Sequence, residues 1–153
     1  MEDRLFRTAM GKFATGVTVI TTEVDGEVYG MTANAFMSVS MDPKLVLISV
    51  ANKAKMLSWV QESGEYCVNI LSQDQQEVSM QFAGQLREGI EVNFEDFEGQ
   101  PAIADSIVTI PCKVYQTHEA GDHTLFVGEV QNIKLEDGEP LLYFEGGYKE
   151  FKA

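Results

Sequence analysis

The stretch MTANAFMSVS, residues 31–40, decides how this sequence is interpreted. Between Gly30 and Met41 there is no charged residue, although 23% of the chain is charged. With the two-residue period of a β-strand, one face carries Met31, Ala33, Ala35, Met37 and Val39. The other face carries Thr32, Asn34, Phe36, Ser38 and Ser40. Because a half-buried strand normally turns charged side chains toward water, the second face is expected to contact something else.

Two interpretations of this stretch are open. In the first, it is a central strand packed on both faces by small residues. In the second, its polar residues offer hydrogen-bond donors and acceptors to a flat ligand with polar edges. Small neighbours such as Ala33 and Ala35 would let that ligand approach the backbone.

Length and composition predict a single domain covering residues 1–153. No apolar run is long enough to cross a membrane, and the amino terminus lacks the apolar core of a signal peptide. Cys67 and Cys112 lie outside any CxxC motif, which favours buried thiols in a cytoplasmic protein. The net charge of -13 argues against nucleic acid as a partner. A phosphorylated ligand would need a few locally placed cations.

The hydrophobic pattern predicts short antiparallel strands with a few helices packed on them. Helices are predicted over residues 3–14 (ended by Gly16), 52–63 (capped by Asn52) and 72–84 (opened by a Ser72–Gln75 capping box). Strands are predicted over 17–33 (a hairpin about Asp25-Gly26), 44–50, 66–71, 107–118, 124–135 and 140–148. Residues 89–99 are predicted to be an acidic loop. The fold class is therefore mainly β with helical caps, a small barrel or sandwich.

Several reaction classes lack their motifs in this sequence. It has no GxSxG elbow, no Walker A loop and no GxGxxG after a strand. His118 and His123 are five residues apart with a glycine between them, so the helical HExxH geometry is excluded and no metal site is predicted.

The segment SVANKAKM, residues 49–56, places Lys53 and Lys55 in the first turn of the second predicted helix. Cations at that position oppose the helix dipole. They are either screened by solvent or hold a phosphate together with the backbone N–H groups of the helix terminus.

The segment AGDH, residues 120–123, also has two interpretations. It is either a Gly121-Asp122 hairpin turn followed by an ordinary histidine, or a turn that places His123 at the barrel mouth, facing a ligand.

Four segments in this order and spacing, GKFATGVTVITT, GMTANAFMSVS, FAG and GDHTLFVGEV, resemble the short-chain flavin reductase family. The similarity runs from Arg4 to about Tyr148. It is especially close to the reductase components of two-component phenol and 4-hydroxyphenylacetate hydroxylases. The resemblance implies an FMN-binding split barrel, antiparallel, Greek-key and six-stranded, that forms a homodimer. It also implies hydride transfer from NADH to FAD or FMN, and delivery of reduced flavin to an oxygenase component.

The resemblance further implies which residues contact the two nucleotides. The flavin residues are Met31, Thr32, Ala33, Asn34, Ala35, Phe36, Ser38, Val39, Ser40, Ser49, Ala51, Lys53, Ala54, Lys55, Phe82, Ala83 and Gly84. Among them, the segment from Ser49 to Lys55 would bind the phosphate. The nicotinamide residues are Gly121, Asp122, His123 and Tyr148. No residue is expected to be an obligatory acid or base, because the cofactors carry the hydride chemistry.

Two other functions fit a similar barrel. One is a flavin- or haem-binding protein without reductase turnover, which would not need the Gly-Asp-His segment. The other is an oxidase of the pyridoxine-phosphate type, which would need more cations than the three arginines, Arg4, Arg7 and Arg87. Those arginines are expected to lie away from Gly-Asp-His, which favours NADH over NADPH. Phe94 and Phe97 in the acidic loop are expected to be covered by a second subunit, and the alternative is that the loop folds onto its own core.

Overall fold

The computed structural model describes residues 1–152, so Ala153, the last residue of the predicted domain, lies outside the described residues. The helices are α1 (Asp3–Gly11), α2 (Lys55–Ser63) and α3 (Gln76–Phe82), the last preceded by a 3₁₀ turn (Gln73–Gln75). The strands are β1 (Thr15–Gly16), β2 (Thr18–Val24), β3 (Glu27–Ala33), β4 (Phe36–Met41), β5 (Lys44–Ala51), β6 (Glu65–Ile70), β7 (Phe94–Phe97), β8 (Gln100–Ile103), β9 (Val108–Ala120), β10 (His123–Val130), β11 (Lys134–Leu135), β12 (Leu142–Phe144) and β13 (Gly147–Lys149).

The main sheet is an antiparallel path in the order β3-β2-β6-β9-β10-β5-β4, with β11 attached to β9. β3 and β4 stand at the two ends of this path, yet only residues 34 and 35 separate them in the chain. The chain itself therefore closes the path into a barrel, in which β3 and β4 are the two halves of one bent strand. When that strand is counted once, the barrel has six strands, which confirms the predicted mainly β, antiparallel class.

The barrel interior is filled by large side chains whose positions follow from strand alternation. Tyr66 and Phe126 are fully buried there, and the Tyr66 hydroxyl donates a hydrogen bond to the carbonyl oxygen of Phe126. Gly128 allows this packing, because a Cβ at that position would lie 2.4 Å from the Tyr66 oxygen. Burial raises the pKa of the Tyr66 phenol far above its usual value, so the group stays neutral.

A second apolar cluster, which includes Val17, Leu71 and Leu141, lies outside the barrel. Phe82 of α3 and Tyr148 of β13 pack against it. The hairpin of β12 and β13 is anchored by pairing between β1 and β12. This cluster therefore fixes the end of α3 and the carboxyl-terminal hairpin on the same side of the molecule, beside β3.

Local signals predicted several turns correctly. Asp25 and Gly26 both have positive φ and form the tight hairpin turn between β2 and β3. Gly64 ends α2 in the left-handed conformation. Ser72 and Gln75 form the predicted capping box, although it opens a 3₁₀ turn that leads into α3.

The predicted bounds of the first two helices are wrong. α1 ends at Gly11, because the N–H groups of Lys12 and Phe13 bond to the carbonyls of Ala9 and Met10 in a tightened last turn. Its predicted apolar stripe (Leu5, Phe6, Ala9, Met10 and Phe13) is largely exposed, and α1 buries no residue. α2 begins at Lys55 with Ala54 at its N-cap, two residues after the predicted cap Asn52.

The acidic segment 89–99 is not entirely a loop. Phe94–Phe97 forms β7, which pairs with the buried strand β8 through a turn in which Glu98 and Gly99 have positive φ. The ring of Phe94 lies edge-on to Phe82, with centroids 6.2 Å apart. The segment thus packs in part on its own chain, which is the alternative that the sequence left open, and Phe94 remains 39% exposed.

The last two predicted strands are each divided in the structure. The run 124–135 becomes β10 and β11, and β10 already begins at His123. The run 140–148 becomes the β12–β13 hairpin, in which Glu145 and Gly146 form the turn. Within residues 1–152 no helix has the length and apolar content that crossing a bilayer requires.

Candidate functional site

A first cavity, cavity A, opens between β3, the end of α3 and the carboxyl-terminal hairpin. Its volume is ≈ 180 Å³. It is lined by Val17, Thr32, Ala33, Asn34, Ser79, Ala83, Gln85, Tyr143 and Tyr148. The wall is mainly apolar with a few hydroxyl and amide groups and no charged side chain, which suits an uncharged aromatic ring system with polar edges.

A chain of hydrogen bonds fixes the polar wall of cavity A. The Thr32 hydroxyl donates to the backbone oxygen of Ser79 at 2.6 Å. The Ser79 hydroxyl lies 2.7 Å from the Tyr148 hydroxyl, and Tyr148 packs edge-on against Tyr143. Because the Thr32 hydrogen is used within the protein, that hydroxyl is left with acceptor lone pairs for a ligand.

Asn34 lies at the bend between β3 and β4 and lines two further cavities besides cavity A. Among residues 1–152 its side-chain amide has no hydrogen-bond partner, so both its donor and acceptor groups are available. Thr15 lines one of these further cavities, and its hydroxyl is a buried oxygen with no hydrogen-bond partner among residues 1–152. Asn34 is exposed, so its amide can hydrogen-bond a polar ligand or water at this bend.

A larger cavity, cavity B, lies between α1, the end of β5 and the β9–β10 turn, with a volume of ≈ 710 Å³. It is lined by Met1, Glu2, Asp3, Phe6, Arg7, Ala51, Asn52, Lys53, Asp122 and His123. A third cavity, cavity C (≈ 310 Å³), shares Phe6 and Arg7 with cavity B and shares Asn34 and Tyr143 with cavity A. Cavity C therefore lies between cavities A and B, and α1 lines cavities B and C.

Asn52 holds the two loops of cavity B together. Its backbone N–H donates to the carbonyl oxygen of Asp122 at 2.9 Å, and its side-chain oxygen accepts a hydrogen bond from Thr124 at 2.6 Å. These contacts explain why Asn52 does not cap α2 as predicted. They place the turn before α2 against the Gly121-Asp122 turn, so that Lys53 and His123 line the same cavity.

His123 and Asp122 form a side-chain hydrogen bond in the β9–β10 turn. His123 Nδ1 lies 2.7 Å from the Asp122 carboxylate, and the histidine side chain is 45% exposed. The hydrogen bond from His123 lowers the pKa of the Asp122 carboxyl below its ordinary value, with a smaller contribution from the charge of Lys53. Asp122 therefore stays ionised near neutral pH and orients the imidazole ring.

Comparisons with known proteins identify the family to which this domain belongs. The sequence profile described as "Flavin reductase like domain" matches residues 10–152, nearly the whole chain. The chain belongs to this flavin reductase family. The family resemblance inferred from the sequence is thereby confirmed.

Named relatives of this flavin reductase domain agree with that assignment. An NADH-dependent flavin reductase of Rhodococcus sp is 44% identical over 95% of this chain and 85% of its own. The 4-hydroxyphenylacetate 3-monooxygenase reductase component of Thermus thermophilus is 38% identical over 94% and 93%. The solved flavin reductase PheA2 in its native state superimposes with a TM-score of 0.99 at 59% identity over 100% of both chains.

A further solved relative is the NADH:FAD oxidoreductase SgcE6 of Streptomyces globisporus, in complex with NAD and FAD fragments. It has a TM-score of 0.91 and 35% identity, covering 98% of this chain and 93% of its own.

The structure corrects the two faces predicted for residues 31–40 of this flavin reductase domain. Met31, Ala33 and Phe36 all pack against the barrel core, so Phe36 lies on the opposite face from the one predicted. The bend at residues 34 and 35 shifts the alternation by one residue, and a bulge between Ser38 and Ser40 interrupts it again. Thr32 and Asn34 line cavity A, whereas Ser38 and Val39 are exposed on β4 and Ser40 is half-buried there.

The predicted phosphate segment, Ser49 to Lys55, does not line a single cavity, because the chain turns at Asn52. Lys53 and Ala51 line cavity B, while Lys55 is an exposed residue at the start of α2 and lines none of the cavities described above. Ser49 is a half-buried residue of β5 whose N–H donates to the carbonyl oxygen of Ala35, and Ala54 packs against the core. Only Lys53 of the two lysines thus faces the cavity that contains His123.

The FAG segment, residues 82–84, contributes both to packing and to the wall of cavity A. Ala83 lines cavity A, but the ring of Phe82 lies against Gly30, where a Cβ would be 2.5 Å from a ring carbon. Gly84 has a φ of +70° and turns the chain away after α3. Phe82 therefore does not line cavity A itself but packs against β3, which forms one of its walls.

Of the four predicted nicotinamide residues, Tyr148 lies apart from the other three. Tyr148 lines cavity A, whereas Asp122 and His123 line cavity B, so the structure does not bring all four predicted nicotinamide residues into one cavity. Gly121 is in the turn beside them with a φ of +61°.

The expectation that all arginines lie away from the Gly-Asp-His segment is wrong. Arg7 of α1 lines cavity B together with Asp122 and His123. Sequence reasoning also missed Ser79, Gln85 and Tyr143 in cavity A. Tyr143 could have been predicted from the sequence, since it lies in the same predicted strand as Tyr148, which was assigned to the site.

The two cysteines take no part in these cavities. Burial raises the pKa of both the Cys67 and Cys112 thiols to about 12, so neither is a thiolate at neutral pH. Residues 1–152 contain no group of three or more potential metal ligands placed to hold an ion.

Proposed function

We propose that this protein transfers a hydride from NADH to FAD or FMN and supplies the reduced flavin to the oxygenase component of a two-component monooxygenase. The observation that carries the proposal is the adjacency of two chemically different cavities in a flavin reductase domain. Cavity A offers neutral polar groups to a ring system, and cavity B offers Lys53 and His123 to a nucleotide. The names of two relatives, an NADH-dependent flavin reductase and an FMN reductase (NADH), support the choice of NADH and flavin.

The residues present fit a flavin in cavity A. The free amide of Asn34 matches the alternating donors and acceptors at the polar edge of such a ring, and Thr32 offers an acceptor. Tyr143 and Tyr148, packed edge-on against each other, form an aromatic wall beside it. When bound, a flavin supplies a ring nitrogen that accepts the hydride.

The protein contribution to the reaction is position. The Asp122 carboxylate orients His123, which can hydrogen-bond the nicotinamide amide from the side of cavity B. Lys53 provides a positive charge for a phosphate group. No side chain has to accept a proton from the nicotinamide, because the particle that leaves its carbon is a hydride.

A homodimer forms part of the proposal, on different evidence from that offered by the sequence. Apolar side chains on α1 and β4 remain exposed, among them Leu5 (62%), Met41 (80%) and Met37 (56%). A second copy of this chain is the partner that we propose for these two faces. Sedimentation of the purified protein at micromolar concentration should give a dimer, and Met37→Glu together with Met41→Glu should give monomers. A monomeric wild-type protein that retains its flavin affinity would contradict this part.

The activity is tested with purified protein by following NADH absorbance with and without added FAD or FMN. Flavin-dependent NADH oxidation, and faster product formation by an added oxygenase component, are the expected results. If flavin binds but NADH is not consumed, the protein is a flavin binder and the proposed function is wrong.

A further inference from the structure

Helix α1 turns one apolar side toward cavity C. Phe6 and Met10 are four residues apart, so they lie on the same side of the helix, and both line cavity C. Phe6 also lines cavity B. Leu5 is equally apolar, but it lies about 100° further round the helix and lines none of the cavities A, B and C. The two sides of α1 therefore face different surroundings.

Phe6 and Met10 are not held by the protein core. Each is more than half exposed, and neither belongs to the two apolar clusters found among residues 1–152. The helix is attached at its tail instead. There the N–H of Glu145 donates to the carbonyl oxygen of Gly11, and the Lys12 ammonium lies 2.7 Å from the Glu145 carboxylate. Because burial of apolar surface is favourable, two large apolar side chains that face a cavity indicate a ligand with an apolar face.

The opposite wall of cavity C is aromatic and polar. Tyr143 supplies a ring that packs against Tyr148, and Asn34 supplies an exposed amide. A cavity of ≈ 310 Å³ between an apolar helix face and this wall suits a flat ring with a polar substituent. Both the flavin ring and the nicotinamide ring of NADH have this character.

The position of cavity C decides between these two rings. It shares Asn34 and Tyr143 with cavity A, where the proposed function places the flavin ring. It shares Phe6 with cavity B, where the proposed function places the nicotinamide beside His123. Hydride transfer requires the reacting atoms of the two rings to lie about 3–3.5 Å apart. A nicotinamide that contacts His123 therefore has to extend from cavity B toward cavity A, and cavity C borders both.

We propose that Phe6 and Met10 cover the nicotinamide ring of NADH in cavity C and hold it against the flavin. They are positioning residues, because apolar contact orients the ring without exchanging protons or electrons with it. The proposal rests on the proposed function. It adds α1 to the nicotinamide site, for which the sequence predicted only Tyr148 and the three residues Gly121, Asp122 and His123.

The test compares two nucleotides that differ in the nicotinamide ring. Tetrahydro-NAD, a form of NADH that cannot donate a hydride, and ADP-ribose, which lacks the ring, are each titrated by calorimetry into protein saturated with FMN. Phe6→Ala should weaken tetrahydro-NAD by about 5- to 30-fold, as expected for loss of an aromatic contact and its buried apolar area. ADP-ribose should change by less than about twofold, since it has no ring to contact the side chain. Met10→Ala should act in the same direction.

Leu5→Ala is the matched control, because Leu5 is an exposed apolar residue of the same helix that lines none of the three cavities. It should leave both affinities close to those of the wild type. Phe6→Tyr keeps an aromatic ring at this position and should retain most of the affinity for tetrahydro-NAD. Circular dichroism and sedimentation check that each variant keeps its helix content and its oligomeric state.

Three other results would overturn the proposal. Equal losses of tetrahydro-NAD and ADP-ribose, or unchanged affinities, would show that Phe6 does not contact the ring. An equal loss of riboflavin affinity, measured by fluorescence, would assign the cover to the flavin. Dissociation of Phe6→Ala into monomers would assign this side of α1 to a second copy of the chain.

The proposed function and this inference fail on different measurements, because the titrations involve no turnover. If the ring-dependent loss is observed but NADH is not oxidised, the proposed function is wrong and the cover remains. If NADH is oxidised but Phe6→Ala binds tetrahydro-NAD as the wild type does, the cover alone is wrong.

Discussion

The hydroxyl groups of Ser79 and Tyr148 lie 2.7 Å apart and join helix α3 to the carboxyl-terminal hairpin across cavity A. Ser79 is fully buried, so it has no water to replace this partner. The hydrogen bond therefore fixes the width of the cavity at the place where Thr32 enters its wall.

Tyr148→Phe should lower the free energy of unfolding by about 1–3 kcal/mol, because it leaves the buried Ser79 hydroxyl without a partner. It should also weaken flavin binding, since the hairpin is no longer fixed to α3. Urea denaturation and flavin fluorescence measure the two effects. Tyr143→Phe is the control, because the Tyr143 hydroxyl forms no hydrogen bond with another described residue. An equal loss of stability in both variants would mean that the Ser79 contact is not responsible.

Lys53→Ala should weaken FMN or NAD⁺ binding by about 10-fold or more, whereas Lys55→Ala should have little effect. The reason is that only Lys53 lines cavity B, although the two lysines are two residues apart in the chain. Titrations at low and high salt give a further readout, because a phosphate contact loses strength as salt screens it. Similar losses in both variants would show that the phosphate binds at the start of α2, as the sequence predicted.

His123→Ala should raise the KM for NADH and lower kcat moderately, while flavin affinity changes little. The side chain positions a ligand in cavity B, and the flavin contacts proposed for cavity A remain intact. His118→Ala is the control, because His118 is exposed on β9 and bonds only to Gln116. Loss of flavin affinity with an unchanged KM for NADH would show that His123 contacts the flavin and that its assignment to the nicotinamide is wrong.

The stability of the fold should decrease as pH rises from about 9 to about 12. Burial raises the pKa of Cys67 and Cys112 from 9.0 to about 12 in the folded protein. In that interval the unfolded chain releases thiol protons that the folded chain retains, and this favours unfolding. Below pH 9 the thiols contribute no pH dependence.

Urea denaturation across this pH interval measures the effect, with Cys67→Ala/Cys112→Ala as the control for the titration of tyrosines and lysines. The wild-type free energy of unfolding should fall more steeply than that of the double variant. Parallel curves would show that the thiols titrate alike in the folded and unfolded chains.

Sequence reasoning succeeded where structure depends on neighbours in the chain. The Asp25-Gly26 turn, the Ser72–Gln75 capping box and the Gly64 stop were predicted because each is determined by a few adjacent residues. The Glu98-Gly99 turn carries a similar short signal, but the acidic composition around it obscured the hairpin.

Features that depend on distant contacts were not predicted. The inward position of Phe36 follows from closure of the barrel at residues 34 and 35, which no local pattern contains. Asn52 was expected to cap α2, but Thr124 and Asp122, about seventy residues away, hold it instead. Arg7 reaches cavity B only because α1 is anchored on Glu145 at the other end of the chain.

The absence of buried residues in α1 has a consequence for access to cavities B and C. One long wall of cavities B and C is a surface helix held at its tail by contacts with Glu145, whereas the opposite wall belongs to the rigid barrel. Within one protomer, swinging this helix outward moves no core side chain and breaks no strand pairing. Opening of cavities B and C on this side therefore costs less free energy than any deformation of the barrel, because α1 has no buried side chains to expose.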